Sequence, residues 1–453
     1  MAIDLSKAFD TVDHQILLQD ILETTIPNNY KRWISNYLRG RQSFVEFRNS
    51  RSNYRNLKQG VPQGGVLSPS LFNIYMSKLP PPPKNIELIS YADDCTVLMS
   101  GTNIPQMCKS VNSYLSELNQ WFNNRKLQLS TPKSIATLFT SWSQELGPGK
   151  IDIKINETTV PFDSKVKILG VTFDQMLTFN AHTTNVANKI NNRNKVLKSL
   201  AGSDWGNEKE VLLTTYKSIG RSVPNYAAPI WTPQTSDSNW KKIQTAQNAA
   251  LRTITGCHLM SNEDHLHLET QILPVKQHNQ LLSRQYFAAC HVPNHPCHNL
   301  VSKSPPPRKI RRDLRTTFGD DIKPFLQNNN TLLEANYKPT IKALHTAAVT
   351  QAVNNYSNNI VLGGRPPPID PMEKNLPRAT RTTLAQLRSG WSKKLNNYMS
   401  RIDPTIPNNC PECNVSPHDV IHLFHCPANP TILTAESLWT KPVEAANLLR
   451  LRL

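Results

Sequence analysis

The first 180 residues predict an α+β fold, and the rest predicts a mainly helical chain that ends in a small region rich in Cys and His. Three observations carry this. Short apolar runs of strand length alternate with stripes of helical period up to about residue 180. From about 181 to 290 the apolar residues keep helical spacing alone. Three of the eight cysteines then gather with a histidine between residues 410 and 426.

The elements follow in order. Residues 1 to 10, MAIDLSKAFD, begin as a short strand that leads at once to the helix DHQILLQDIL, with Asp13 as N-cap and Leu17, Leu18, Ile21 and Leu22 on one face. After Pro27 a second helix carries Tyr30, Trp33, Ile34, Tyr37 and Leu38, with Gly40 as its stop. SFVEF then reads as a strand. The glycine-rich loop QGVPQGGVLSP, residues 59 to 69, closes on Ser68 as N-cap and Pro69 at the first helical position, and opens the helix SPSLFNIYMSKL. Prolines 80 to 83 end it. IELIS and CTVLMS flank Tyr91-Ala92-Asp93-Asp94, the pattern of a β-hairpin with two carboxylates at its tip. The alternation continues through VNSYLSELNQWF, IATLF, IDIKI and VKILGVTF.

Beyond residue 180, Val186, Ile190, Leu197 and Leu200 form one stripe while Lys189, Arg193, Lys195 and Lys198 occupy other faces, either as a solvated surface or as a track for nucleic acid. SPPPRKIRR at 304 to 312 and GGRPPPIDP at 363 to 371 read as linkers. A basic helix follows, with Leu384, Leu387, Trp391, Leu395 and Tyr398 in register and Arg381, Arg388, Lys393 and Lys394 beside them. The expected organisation is 1–180, 181–300, a basic Pro-rich linker region 301–375, the basic helix with its Cys/His region 376–430, and a tail 431–453.

The formal net charge is +18, which favours polyanionic partners, and charged residues are 19% of the chain. No apolar run reaches the roughly 18 residues needed to span a bilayer, and the start lacks the basic-then-apolar pattern of a secretion signal. The expectation is an intracellular protein, nuclear or cytoplasmic, that binds nucleic acid and no membrane. The scattered cysteines fit a reducing compartment.

Asp4 ends a strand, and Asp93 and Asp94 sit at a hairpin tip. If those strands neighbour each other, the acids converge on one edge, where they suit two divalent cations about 4 Å apart, the arrangement nucleotidyl transfer needs. The loop Pro62-Gln63-Gly64-Gly65 lets backbone approach a nucleotide closely. At the other end, Cys410-x2-Cys413-x8-His422-x3-Cys426 offers a tetrahedral zinc set, with His418 and His425 as competing ligands. The remaining Cys and His lack comparable spacing and read as structural.

DLSKAFDTV, QGVPQGGVLSPSLFNIYM and YADD, in this order, resemble motifs A, B and C of reverse transcriptases; RKLQLSTPKS resembles motif D, and VKILGVTFD resembles motif E. HTTNVANKINNRNKVLKSLAG, LPRATRTTLAQLRSG and CPECNVSPHDVIHLFHCP extend the resemblance to the non-LTR, LINE-type retrotransposons, particularly the jockey-like group. It implies a reverse-transcriptase palm, a helical thumb and a zinc-knuckle-like C-terminal region. It also implies RNA-directed DNA polymerase activity with two Mg²⁺ and a structural Zn²⁺, acting on an RNA template, a DNA primer or target, and dNTPs. Asp4, Asp93 and Asp94 would hold the metals. Phe9 would be the steric gate against a 2′-hydroxyl, Gln63, Gly64 and Tyr91 would lie at the nucleotide pocket, and Lys133 would be the general acid for pyrophosphate. Two features depart from the family pattern: motif A begins three residues after Met1, where the family has fingers and an endonuclease before it, and Ser130 replaces a common Asn in motif D. The expectation is therefore a fragment of a longer polyprotein, with a catalytically inactive remnant that only binds RNA or DNA as the alternative.

Overall fold

The computed structural model describes residues 1–140, 149, 151–202, 205–301, 314–327 and 330–451. The chain divides into two compact units, Met1–Thr178 and Phe179–Leu453.

The first unit is α+β. Its strands are β1 (Ala2–Ile3), β2 (Gln42–Ser43), β3 (Glu46–Phe47), β4 (Ser50–Arg51), β5 (Arg55–Asn56), β6 (Ile86–Tyr91), β7 (Asp94–Met99), β8 (Lys154–Ile155), β9 (Thr158–Thr159), β10 (Lys165–Ile168) and β11 (Val171–Asp174). Its helices are α1 (Ala8–Thr11), α2 (His14–Glu23), α3 (Asn28–Leu38), α4 (Ser68–Met76) and α5 (Ile104–Asn124). The central sheet is antiparallel in the order β1-β7-β6. Residues 129–135 continue it beyond β1 through the bridges Ala2↔Ile135 and Leu5↔Leu129. Leu17 and Ile21 of α2, Phe72 and Tyr75 of α4, and Leu115 and Leu118 of α5 share one core with Ile3, Cys95 and Val97 of the sheet. Burial of this apolar surface drives the packing. Asp13 caps α2 as expected, its carboxylate accepting from the Gln15 and Ile16 amides at 2.9 and 3.1 Å.

Several expectations fail locally. Leu22 is exposed, because of the four apolar residues expected on one face of α2 only Leu17 and Ile21 are fully buried. SFVEF is not one strand: β2 pairs with β5 and β3 with β4, and all four are exposed. Ser68 does not cap α4. Leu67 occupies that position, and the Ser68 hydroxyl instead donates to the Pro62 carbonyl at 2.5 Å.

The second unit is helical: α6 (Asn180–Leu200), α7 (Lys209–Thr215), a wide turn Tyr216–Arg221, α8 (Ser222–Asn225), α9 (Ala228–Trp231), α10 (Asp237–Thr255), α11 (Glu263–Thr270), α12 (Val275–Cys290), α13 (His298–Val301), α14 (Leu314–Ile322), α15 (Glu334–Asn354), α16 (Arg378–Arg388), α17 (Asn396–Ile402), α18 (Val420–His425), α19 (Ser437–Thr440) and α20 (Pro442–Leu448). The α6 stripe is buried as expected at Val186, Ile190 and Leu197, while Lys189, Arg193, Lys195 and Lys198 are exposed.

Over its described residues the linker expected at 301–375 is largely structured. Phe318 and Ile322 of α14 and Leu344 and Ala348 of α15 pack on Leu281 and Phe287 of α12, whereas the stretch 304–312 lies outside the described residues. Within 363–371, Ile369 packs on the C-terminal core and the Asp370 amide donates to the Trp439 carbonyl at 2.8 Å. Nor is 431–453 a loose tail over its described part, since Leu438, Trp439, Ala445 and Ala446 are buried in that core. The helix expected from 384 to 398 breaks between α16 and α17 at Gly390. Its Arg381 and Arg388 do not form a basic face, because both are buried in ion pairs.

Candidate functional site

The register of the central sheet assembles the carboxylates. Ala2 lies opposite Thr96 and Ile3 opposite Cys95, so the next residue, Asp4, falls across from Asp94. Tyr91 pairs with Asp94 at the end of the β6–β7 hairpin, leaving Ala92 and Asp93 as its two-residue loop, with Ala92 at φ 54°. The three acids therefore meet at one end of the sheet. Their electrostatics agree: the Asp94 pKa is raised by partial desolvation first, and then by the charges of Asp93 and Asp4. Lys167 on β10 works in the opposite direction on Asp94. Nothing in the spacing marks Lys167, whose approach comes from tertiary contact between β10 and β1.

The backbone around Asp4 is held from both sides. Ser130 donates its amide to the Asp4 carbonyl at 2.9 Å, and the Asp4 amide donates to the Ser134 hydroxyl at 3.2 Å. Lys133 sits on that same turn, with its side chain exposed. Phe9 is half-buried and stacks on Phe72 of α4, with ring centroids 4.5 Å apart and planes 14° from parallel. Gln63 and Gly64 lie exposed on the glycine-rich loop, and Gln63 Nε2 donates to Asp10 Oδ1 at 3.0 Å. Tyr91 is 68% exposed. The loop is joined to the segment after Asp4 by the Gly60 amide on Val12 O and the Val61 amide on Phe9 O, both at 2.8 Å. Gly60 has φ +85°, and a Cβ there would stand 2.8 Å from the Asp10 carbonyl oxygen.

A second constellation forms in the other unit. The Cys410 amide donates to Val415 O and the Asn414 amide to Cys410 O, both at 2.9 Å, which closes the Cys410–Cys413 turn. Asp419 caps α18 by accepting the His422 amide at 2.9 Å, so that His422 and Cys426 come round to the turn. Cys410 Sγ and Cys426 Sγ are 3.8 Å apart, and Cys413 Sγ and His422 Nε2 are 3.2 Å apart. Tetrahedral zinc places neighbouring donors about 3.5–3.8 Å apart. The cluster contains His422 and neither competitor. His418 is buried, its Nδ1 accepting the Asn396 amide at 3.0 Å, and His425 is exposed with Nδ1 on Ile421 O at 2.9 Å. Burial pushes the Cys410 thiol up, but hydrogen bonds from the Cys413 and Glu412 amides and from His422 outweigh it and bring the pKa to about 7.

Residues 1–173 match the family described as reverse transcriptase (RNA-dependent DNA polymerase). That stretch carries all three acids. The chain is similar to the probable RNA-directed DNA polymerase from transposon X-element of Drosophila melanogaster, 29% identical over 316 residues, covering 68% of this chain and 34% of the relative. It is also similar to that from transposon BS of the same fly, 29% identical over 282 residues and covering 61% of this chain and 31% of the relative. A third relative is the RNA-directed DNA polymerase from mobile element jockey, also of Drosophila melanogaster, 24% identical over 332 residues, or 71% and 36% of the two chains. The chain thus spans about a third of the length of these curated relatives. The matched region contains the whole carboxylate site, and the relatives are named for transposons and a mobile element, jockey among them. Among the described residues no helix is long and apolar enough to cross a membrane.

Proposed function

We propose that this chain is the palm, thumb and zinc region of a non-LTR retrotransposon reverse transcriptase. Its reaction is template-directed addition of deoxynucleotides from dNTPs to the 3′-hydroxyl of a DNA primer or target end on an RNA template. The observation that carries this is the register that sets Asp4 across from Asp94, beside Asp93. Three carboxylates that repel one another suit a pair of hard divalent cations, and Asp4, Asp93 and Asp94 are the residues to hold two Mg²⁺. When bound, such ions lower the pKa of the attacking hydroxyl and neutralise charge on the phosphates.

The chain's own residues supply the rest. The Phe9 ring, fixed by its stack on Phe72, is the wall that excludes a ribose 2′-hydroxyl. Gln63, Gly64 and Tyr91 line the nucleotide pocket, with Gln63 held in place by Asp10. Lys133 holds a proton for the departing pyrophosphate, and Ser130 and Ser134 fix its turn against Asp4. The Cys410, Cys413, His422 and Cys426 donors suit a closed structural Zn²⁺.

The test is Mg²⁺-dependent primer extension on an RNA template, with an Asp93→Asn, Asp94→Asn double variant alongside. Extension by the parent and none by the variant is expected. Extension that persists in the variant places the chemistry elsewhere, and salt-sensitive RNA binding without extension by either supports a binding remnant.

A further inference from the structure

A third group of metal-type donors lies outside both sites. Cys290 is the last residue of α12 and is buried, while His295 and Cys297 follow on the half-buried turn that leads into α13. One donor atom from each of the three lies within 4.8 Å of the others. Both cysteines are free thiols. The turn is set by the His295 amide on Val292 O at 3.2 Å and the His298 amide on His295 O at 2.9 Å, with Pro293 and Pro296 restricting it further. The His295 ring is oriented twice: its Nδ1 accepts the Cys297 amide at 3.1 Å, and its edge meets Tyr286 at a centroid distance of 5.9 Å. The Tyr286 hydroxyl lies 3.5 Å from Cys297 Sγ. In the flanking residues, His291 Nε2 and His298 Nδ1 are buried without hydrogen-bond partners.

We propose that Cys290, His295 and Cys297 form a second site for a borderline-soft divalent cation of the zinc class. Two thiolates and an imidazole select zinc over Mg²⁺ or Ca²⁺, which need hard oxygen donors. Bringing the donors from 4.8 Å to tetrahedral spacing takes a side-chain movement of about 1 Å. It also exchanges the Cys297 amide's bond to His295 for a metal bond. Three protein ligands leave the fourth position to water. The ion would clamp the turn to the end of α12, the helix on which α14 and α15 pack.

Zinc content of the reduced, Zn²⁺-loaded full chain tests this without reference to polymerase activity. Two zinc ions per chain are expected in the parent and one in His295→Ala, Cys297→Ser, a variant that spares the core residue Cys290 and keeps the parent circular dichroism. In Cys410→Ser, Cys413→Ser the remaining site, loaded with Co²⁺, is expected to show thiolate-to-cobalt charge-transfer absorption that disappears when His295→Ala, Cys297→Ser is added. Unchanged zinc content in His295→Ala, Cys297→Ser overturns the proposal, as does a Cys290–Cys297 disulfide in the reduced, zinc-loaded protein.

Discussion

Arg388 and Glu269, separated by 119 positions in the chain, form an ion pair of 3.1 Å that is closed to solvent on both sides. Glu373 is a second partner of Arg388, and Lys209 lies 3.1 Å from Glu269. The charges balance only as a set. Replacing Arg388 with Met leaves two buried carboxylates short of their main counter-charge, and unfolding in urea is expected to show a loss of about 3–5 kcal/mol. Exposed pairs such as Arg51–Glu46 are expected to contribute less than about 1 kcal/mol by the same measurement.

The second unit is expected to weaken in mild acid. His267 is buried, its Nδ1–H donating to Ile272 O at 2.7 Å and its Nε2 accepting from Gln244 at 3.0 Å, so the ring is neutral with both nitrogens engaged. Burial lowers its pKa from 6.5 to about 4. A depressed histidine stabilises the fold above the unfolded pKa and loses that contribution as pH falls toward the folded one. Stability therefore declines from pH 6.5 to about 4, with His267 contributing on the order of 3 kcal/mol of the change. Unfolding midpoints across this range, compared with those of His267→Gln, check it; equal slopes would refute the assignment.

Two glycines of the same loop are expected to differ. Gly64, at φ +80°, has open space where an alanine methyl would stand, so Gly64→Ala carries only the conformational penalty, about 1–2 kcal/mol. Gly60 adds a collision with the Asp10 backbone, which cannot rotate away, and Gly60→Ala is expected to lose at least about 3 kcal/mol. Denaturation of the two variants side by side gives the comparison.

What the sequence reveals of this molecule depends on whether the information is local. The Asp13 cap, the β6–β7 hairpin and the Cys410–Cys426 spacing lie within a few turns of chain and are readable. Arg381 and Arg388 read only as part of a basic helix because their partners Glu208, Glu210, Glu269 and Glu373 come from distant elements or another turn. A buried charge and an exposed one have the same letter. Lys167 and the Cys290 cluster escape a reading by motif for related reasons: the first acts through tertiary contact, and the second has an unusual Cys-x4-His-x-Cys spacing.

Chelation should loosen the Cys410–Cys426 region and leave the carboxylate-bearing sheet unaffected. Val420 and Phe424 sit in the core on α18, the helix that also carries His422. Removing Zn²⁺ with a chelator, or substituting Cys413→Ser, is expected to raise hydrogen exchange across 410–426 while β6 and β7 keep their protection. Uniform exchange in both units would contradict a local structural metal.

Phe9→Val removes the ring but keeps a packed side chain against Phe72. Discrimination against ribonucleotides in primer extension is expected to fall roughly 10- to 100-fold, with deoxynucleotide incorporation less affected. A parallel loss of both activities would mean that Phe9 is only a packing residue.

The placement of β1 also sets an order of events during synthesis. Its Ala2 amide and carbonyl are taken by Ile135, and the Met1 amine donates to Val97. Once made, β1 thus waits for both of its later neighbours, β7 and residue 135, before its two flanks are occupied. Until then Asp4 lacks at least one of its two flanks. A nascent chain stopped between residues 99 and 130 holds all three acids and the strands that set their register, but not the Ser130 and Ser134 bonds that fix the Asp4 backbone from its other side.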